Sequence, residues 1–438
     1  MKHISFNFDS SRVTASEIAE RSTSLESYRS KLKTVVETKD YTSLEASLVV
    51  PYDETLLAQV KSVLETKDIS QLKYIFVVGI GGSNLGTKAV YDAIRGLDDG
   101  HRKSGPKMIF LDTVGQKLFE IMRDIIEESV MDLDEILINV ISKSGGTAET
   151  IFNAEVLIDM IKTKLPTGIE DRVVVTTNKD SALQLAAEKA SMDYLTIPEL
   201  VGGRYSVLTG VGLFPLLAVG FNVEKLLSGA QDMLADCLEK ENNPAMMSAV
   251  VSHSLLSQGI VINNTFVFNP ELESAGKWYR QLMGESVGKR NNLEGVEVRT
   301  GIVPMVSVGS TDLHSMAQLY FGGPRNILHG FISSLPTRED FMPQDRTYDS
   351  LIEDIEGKSN KNLMEAILGG TQATLVNNEV PFIDISIDEI NEYTLGAYLQ
   401  FRMTEMMYLA QLMNVNAFDQ PSVEEYKIET KRILSQIN

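Results

Sequence analysis

Tyr74-Ile75-Phe76-Val77-Val78-Gly79-Ile80-Gly81-Gly82-Ser83-Asn84-Leu85-Gly86 is the stretch on which the fold turns. Five β-branched or aromatic residues run into a glycine-rich corner and then into Thr87–Leu97, which has helical period. A strand with no polar face belongs in a sheet covered on both sides. Its corner aims backbone N–H groups and a helix N-terminus at one spot, an arrangement that receives an anion such as phosphate. The dinucleotide fingerprint would need glycine where Asn84 stands. The P-loop would need Gly-Lys-Ser/Thr where the order is Gly86-Thr87-Lys88. Both nucleotide readings fail in detail, and the plain alternative is that these glycines only turn a strand into a helix.

Outward from this stretch, short apolar runs at Met108–Leu111, Ile136–Ile141, Arg172–Thr176 and Tyr194–Ile197 read as further strands. Amphipathic segments Lys117–Glu128 and Ala148–Lys162 lie between them. A second, weaker alternation follows: strand Thr265–Phe268, helix Leu272–Gly284, strand Ile302–Val308, helix Leu313–Phe321, and strands Ile327–Ile332 and Phe382–Ile385. Alternation of this kind predicts an α/β chain of two α/β/α sandwiches with mostly parallel sheets. Residues 1–60 read as an N-terminal helical extension on the second sandwich, 61–235 as the first domain and 236–438 as the second, closed by helices at Leu395–Met413 and Ser422–Ile437. The polar, helical segment from about 222 to 262 is the boundary candidate.

The chain of 438 residues carries a net charge of −20, which opposes binding to nucleic acid or to an anionic membrane. Its longest apolar stretch, Val207 to Phe221, is interrupted by Thr209, three glycines and Pro215, and reads as a buried helix. A single cysteine, Cys237, excludes an internal disulfide and a thiolate metal cluster, and fits a reducing compartment. The N-terminus lacks the continuous apolar core of a signal peptide, so the expected location is the cytoplasm.

A second phosphate candidate follows Ile136–Ile141: Ser142-Lys143-Ser144-Gly145-Gly146-Thr147, with a helix from Ala148. Hydroxyls and N–H groups at a helix start donate to phosphate oxygens, and loops from neighbouring parallel strands meet at the carboxyl edge of the sheet. A simple N-cap accounts for one Ser or Thr, not for this whole set. These two loops, with Gly202-Gly203-Arg204-Tyr205-Ser206, Gly284-Glu285-Ser286-Val287-Gly288-Lys289, Ser310-Thr311-Asp312-Leu313-His314-Ser315 and Phe418-Asp419-Gln420 with Lys427, resemble in order the motifs of the glucose-6-phosphate isomerase family.

The resemblance implies two sugar isomerase domains, a homodimer, no metal and no organic cofactor. It also implies interconversion of glucose 6-phosphate and fructose 6-phosphate through ring opening and a cis-enediol. Proton transfer between adjacent carbons needs a shielded base, and Glu285 is similar to the family's base. Arg204 matches the cation that stabilises the enediolate. Of the five histidines only His314 lies in a matching motif, where it and Lys427 would serve ring opening. His3, His101 and His253 read as surface or packing residues, and His329 as a strand residue. Gly82, Ser83, Ser142, Lys143, Ser144 and Thr147 would hold the phosphate, and Gln420 a substrate hydroxyl. By the resemblance, His314 would come from the partner subunit. Pro421 and Gly146 depart from the family's usual residues. A broader isomerase that also takes mannose 6-phosphate is one alternative, and a non-catalytic sugar-phosphate regulator is another.

Overall fold

An opening strand β1 (Ile4–Asn7) is followed by β2 (Tyr74–Val78), β3 (Lys107–Leu111), β4 (Ile136–Ile141), β5 (Val173–Asn178) and β6 (Asp193–Ile197). The structure is a computed structural model that describes residues 3–97, 105–240, 243–334, 340–348 and 351–437. Strands β2 to β6 form one sheet in the order β3-β2-β4-β5-β6, every neighbouring pair parallel. β4 is buried along its whole length and β2 at all but Tyr74, as their unbroken apolar sequence requires. Helices Leu85–Arg95, Gln116–Asp124, Ala148–Lys164 and Ala182–Lys189 connect them, and the core joins Phe76, Ile138 and Val175 of the strands to Met122, Leu157 and Ala187 of the helices.

The second sheet uses β7 (Ile262–Val267), β10 (Val303–Val308), β11 (Ile327–Ser334) and β12 (Phe382–Ile387), with a small hairpin of β8 (Lys289–Asn291) and β9 (Glu297–Thr300) apart from it. Its order is β1-β12-β11-β7-β10, the four long strands parallel and β1 antiparallel to β12. In both sheets the second long strand sits outside the first and the third and fourth on its other side, so the weak sequence repeat is a repeat of topology.

Several expected elements change in detail. β1 lies within residues 1–60, read as helical; four residues with only Ile4 buried give no periodic signal, and the helices there are Ala15–Glu37 and Glu54–Glu65. The helix expected at Leu313–Phe321 is shorter, Ala317–Gly322, because Thr311–Leu313 forms a 3-10 turn. The segment 222–262 is two helices, Val223–Glu239 and Pro244–Ser257, and the second is mostly buried rather than polar, with Met246, Val250, Val251 and Leu255 inside. In helix Gly210–Ala218 of the longest apolar stretch, every residue but Leu217 is buried. No helix among the described residues is long and apolar enough to cross a membrane.

The chain separates into two compact units, one of residues 1–30, 233–394 and 398–438, the other of residues 31–232 and 395–397. The divisions fall at 30/31 and 232/233, where the sequence reading set them at 60/61 and 235/236. In the unit of the second sheet, a buried polar knot ties three helices together. Arg402 pairs with Glu405 at 3.0 Å, the Tyr279 hydroxyl donates to the same carboxylate oxygen at 2.9 Å, and the Ser248 hydroxyl donates to the other. The guanidinium also lies 4.0 Å from the centre of the Tyr279 ring. Removing one member of such a buried pair costs about 3–5 kcal/mol. The knot therefore fixes helix Glu273–Val287, which carries Glu285.

Candidate functional site

In the first sheet the strand order reverses between β2 and β4, the place where open parallel sheets bind ligands. The two loops singled out in the sequence leave these two strands. After β2 the chain makes a tight turn at Gly81–Ser83 with Gly81 at φ +59°, a conformation that suits glycine, and enters the helix at Leu85. Gly82 abuts the turn Gly203–Tyr205: a Cβ on it would lie 2.2 Å from the Gly203 carbonyl carbon and 2.6 Å from the Arg204 nitrogen. Its lack of a side chain is thus what lets the Arg204 turn reach the Gly81–Ser83 corner. Arg204 itself is 2% exposed and stacks beside the Tyr205 ring.

The loop after β4 is stitched to β5. Ser142 N–H donates to Thr176 O at 3.0 Å, the Thr177 hydroxyl to Ser142 O at 2.7 Å, and Asn178 N–H to Lys143 O at 3.2 Å. Gly145 turns at φ +70°, and the Ser142 and Thr147 hydroxyls close the loop 3.1 Å apart. Thr147 occupies the N-cap position of helix Ala148–Lys164 without capping it. Ser142 is buried, Ser83, Lys143 and Thr147 are partly so, and Ser144 is exposed. Burial holds the Lys143 ammonium below its ordinary pKa, opposed by the Glu199 carboxylate and aided by the Arg204 charge. Gly82, Ser83, Ser142, Lys143, Ser144, Thr147 and Arg204 thus share one sheet edge. Asn84, the residue that breaks the dinucleotide pattern, is buried, and neither of its amide atoms finds a partner among the described residues.

The other predicted residues belong to the unit of the second sheet. Glu285 lies partly buried near the end of helix Glu273–Val287, and Gln281, one turn earlier, donates to its Oε1 at 3.1 Å. Sequence reasoning missed Gln281; the available signal was the i, i+4 spacing of an amide before the carboxylate. Gly276 of this helix sits on Val306 of β10 so closely that a Cβ would come within 2.8 Å. From β10 the chain passes to His314, which follows the 3-10 turn and is exposed. Its imidazole takes no side-chain hydrogen bond among the described residues, while the backbone N–H of His314 donates to Thr311 O at 3.1 Å.

Lys289 is buried and binds Asp419 through both the carboxylate, at 2.8 Å, and the backbone carbonyl. That joins the end of the Glu285 helix to the segment holding Gln420, which is exposed. Pro421 takes the first position of helix Pro421–Leu434, where a missing N–H costs nothing. Lys427 on that helix pairs with Glu424 at 2.7 Å.

Of the remaining histidines, His3 faces Asp388 at the surface, His253 meets Arg21, and His329 is buried in β11; His101 lies outside the described residues. Among the described residues no group of three or more His, Cys, Asp or Glu is placed to hold a metal ion.

Comparison with known proteins gives a consistent picture. Residues 29–438 match the family described as phosphoglucose isomerase. A glucose-6-phosphate isomerase of Carboxydothermus hydrogenoformans is 33% identical, the match covering 83% of this chain and 79% of the relative. That of Methanocaldococcus jannaschii is also 33% identical, over 83% of this chain and 84% of the relative. Among solved structures, a hypothetical protein from Thermus thermophilus superposes with a TM-score of 0.84 at 27% identity, covering 98% of this chain and 99% of that one. A glucose-6-phosphate isomerase from Chlamydia trachomatis shares the fold, with a TM-score of 0.81 at 20% identity over 99% of this chain and 89% of that one.

Proposed function

This chain belongs to the phosphoglucose isomerase family and interconverts glucose 6-phosphate and fructose 6-phosphate, and from that premise we propose how its residues divide the work. The observation that carries the assignment is the meeting of three chain turns in the first unit. Gly82 admits the Arg204 turn to a corner that already holds the two loops flanking the reversal of strand order.

Ser83, Ser142, Ser144 and Thr147 donate to the phosphate, with Lys143 supplying charge; hydrogen bonds to a charged oxygen contribute about 1.5–3 kcal/mol each. Arg204, buried and permanently charged, stabilises the enediolate that forms as a proton leaves C2. Glu285 takes that proton and returns it to C1, its carboxylate oriented by the Gln281 amide. His314 and Lys427 move the proton between ring oxygen and C1 hydroxyl during ring opening, Lys427 exchanging Glu424 for the sugar. Gln420 contacts a sugar hydroxyl. The two units are the two sugar isomerase domains. The protein works in the cytoplasm as a homodimer in which His314 serves the site of the partner subunit.

The experiment is Arg204→Met. The charge that Arg204 meets develops only in the reaction, so turnover and the affinity for an enediolate-like hydroxamate should fall together, with substrate binding much less affected. Equal losses of affinity for hydroxamate and substrate would remove Arg204 from that role.

A further inference from the structure

Among the described residues the His314 imidazole has no side-chain partner to hold it, so its placement depends on the loop that presents it. That loop runs from the end of β10 at Val308 to helix Ala317–Gly322, which at six residues is too short to be stable alone. It is tied to β10 at both ends. At its start, Asp312 accepts from Val308 N–H at 2.7 Å and from the Ser315 hydroxyl at 2.9 Å. At its far end the Tyr320 hydroxyl lies 2.6 Å from Ser307 Oγ on β10.

Ser307 donates onward to Asn264 Oδ1 on β7 at 2.9 Å, and Asn264 Nδ2 donates to His329 Nδ1 on β11 at 3.1 Å. Because the Ser307 proton is committed to Asn264, Tyr320 is the donor in its bond to Ser307, and the bonds from Tyr320 to His329 run in one direction. Tyr320, Ser307, Asn264 and His329 are all buried, and the Tyr320 and His329 rings meet edge to face with centroids 4.9 Å apart. Three sheet strands therefore converge on one hydroxyl of the short helix.

We propose that Tyr320 is a positioning residue for His314: its hydroxyl, locked to Ser307 and through it to the sheet, sets where the His314 loop ends and so where the imidazole is presented for ring opening. This rests on the reading that His314 serves ring opening. A misplacement of about 1 Å by a residue remote from the chemistry can cost up to about a hundredfold in rate. Loss of one neutral hydrogen bond in a loop still packed by its ring costs less, and about tenfold is expected.

The test compares Tyr320→Phe, which keeps the ring, Ser307→Ala, which breaks the same bond from the other side, His314→Ala, and Tyr320→Phe combined with His314→Ala. Enzyme-catalysed exchange between the anomers of glucose 6-phosphate is followed by NMR, beside steady-state isomerisation. Tyr320→Phe and Ser307→Ala should each slow anomer exchange about tenfold, with KM changed less than about twofold. Adding Tyr320→Phe to His314→Ala should cause no further loss, since residues acting through one group are not additive. Native anomer exchange in Tyr320→Phe and Ser307→Ala, a further tenfold loss in the double variant, or a shift confined to KM would overturn the proposal. If His314→Ala itself leaves anomer exchange intact, the reading of His314 fails first and the role of Tyr320 with it. Should Tyr320→Phe fold poorly, Ser307→Ala carries the comparison alone.

Discussion

The two sheets repeat one strand order, yet their carboxyl edges are built in different ways. The first carries glycines and short hydroxyl residues, and its geometry is set by backbone: Gly82 against Gly203, and the loop after β4 hydrogen-bonded to β5. The second carries long side chains, Glu285 on a helix, His314 on a loop and Lys427 on a helix with no buried residue. Beneath that second edge runs the seam of Asn264, Ser307, Tyr320 and His329. An anion can be held by fixed N–H and O–H donors at strand ends, so a backbone-shaped edge suffices for it. Moving a proton between carbons needs groups that titrate and reach, and those must be steadied from behind. Under the roles proposed above, one topology holds the phosphate and the enediolate's charge in one unit and moves the protons in the other.

The sharpest way to break this division is Glu285→Gln. The amide keeps the shape and accepts from Gln281 but cannot take a proton, so isomerisation and exchange of the C2 hydrogen with solvent should fall about a hundred- to ten-thousandfold. Phosphate affinity, which the proposed roles assign to the other edge, should remain. Near-native C2 exchange in this variant would mean that the base lies elsewhere.

The complementary variant is Gly82→Ala. Its Cβ would sit 2.2 Å from a backbone carbonyl carbon, which no rotamer change relieves, so the Arg204 turn must move away from the corner. A shift of that size predicts about a hundredfold loss of turnover, with weaker inhibition by inorganic phosphate. If Gly82→Ala binds phosphate and turns over normally, the first edge is not shaped by this contact. Glu285→Gln and Gly82→Ala should therefore fail in opposite ways, one keeping phosphate and the other losing it.

Legibility in the sequence followed the same division. The first edge was readable because its signals are local: Tyr74–Val78 into Gly79–Gly86, and Ile136–Ile141 into Ser142–Thr147, each place strand, turn and helix start within a dozen residues or so. The apolar strands of both sheets were found to within a few residues, since burial on both faces leaves a continuous pattern. β1 and the β8–β9 hairpin gave no such pattern, being short and mostly exposed. Glu285, His314 and Lys427 were singled out through motif resemblance, because a lone Glu, His or Lys carries no spacing that distinguishes it from a surface residue. Gln281 and the seam escaped for a related reason. Asn264, Ser307 and His329 sit on three separate strands, and only sheet order makes them neighbours.

The smallest expected effect probes that seam. Burial holds the His329 imidazole neutral, with its pKa pushed down to about 4. In the unfolded chain the same ring titrates near its ordinary value of about 6.5. Between these values the unfolded state binds a proton that the folded state refuses, so stability is whole above about pH 6.5 and is lost as pH falls toward 4. At pH 5.5 the loss should amount to about 1 kcal/mol. His329→Gln keeps an acceptor for Asn264 Nδ2 and does not titrate, so its stability should decline less between pH 7.5 and 5.5 than that of the native protein. The sole tryptophan, Trp278, is buried in the same unit, and its fluorescence during urea unfolding reports the right part of the molecule. Carboxylates contribute their own acid sensitivity to both proteins, which the difference between them cancels. Parallel declines in the two proteins would show that the folded chain does not hold the His329 ring neutral and that the seam does not depend on its Nδ1 as an acceptor.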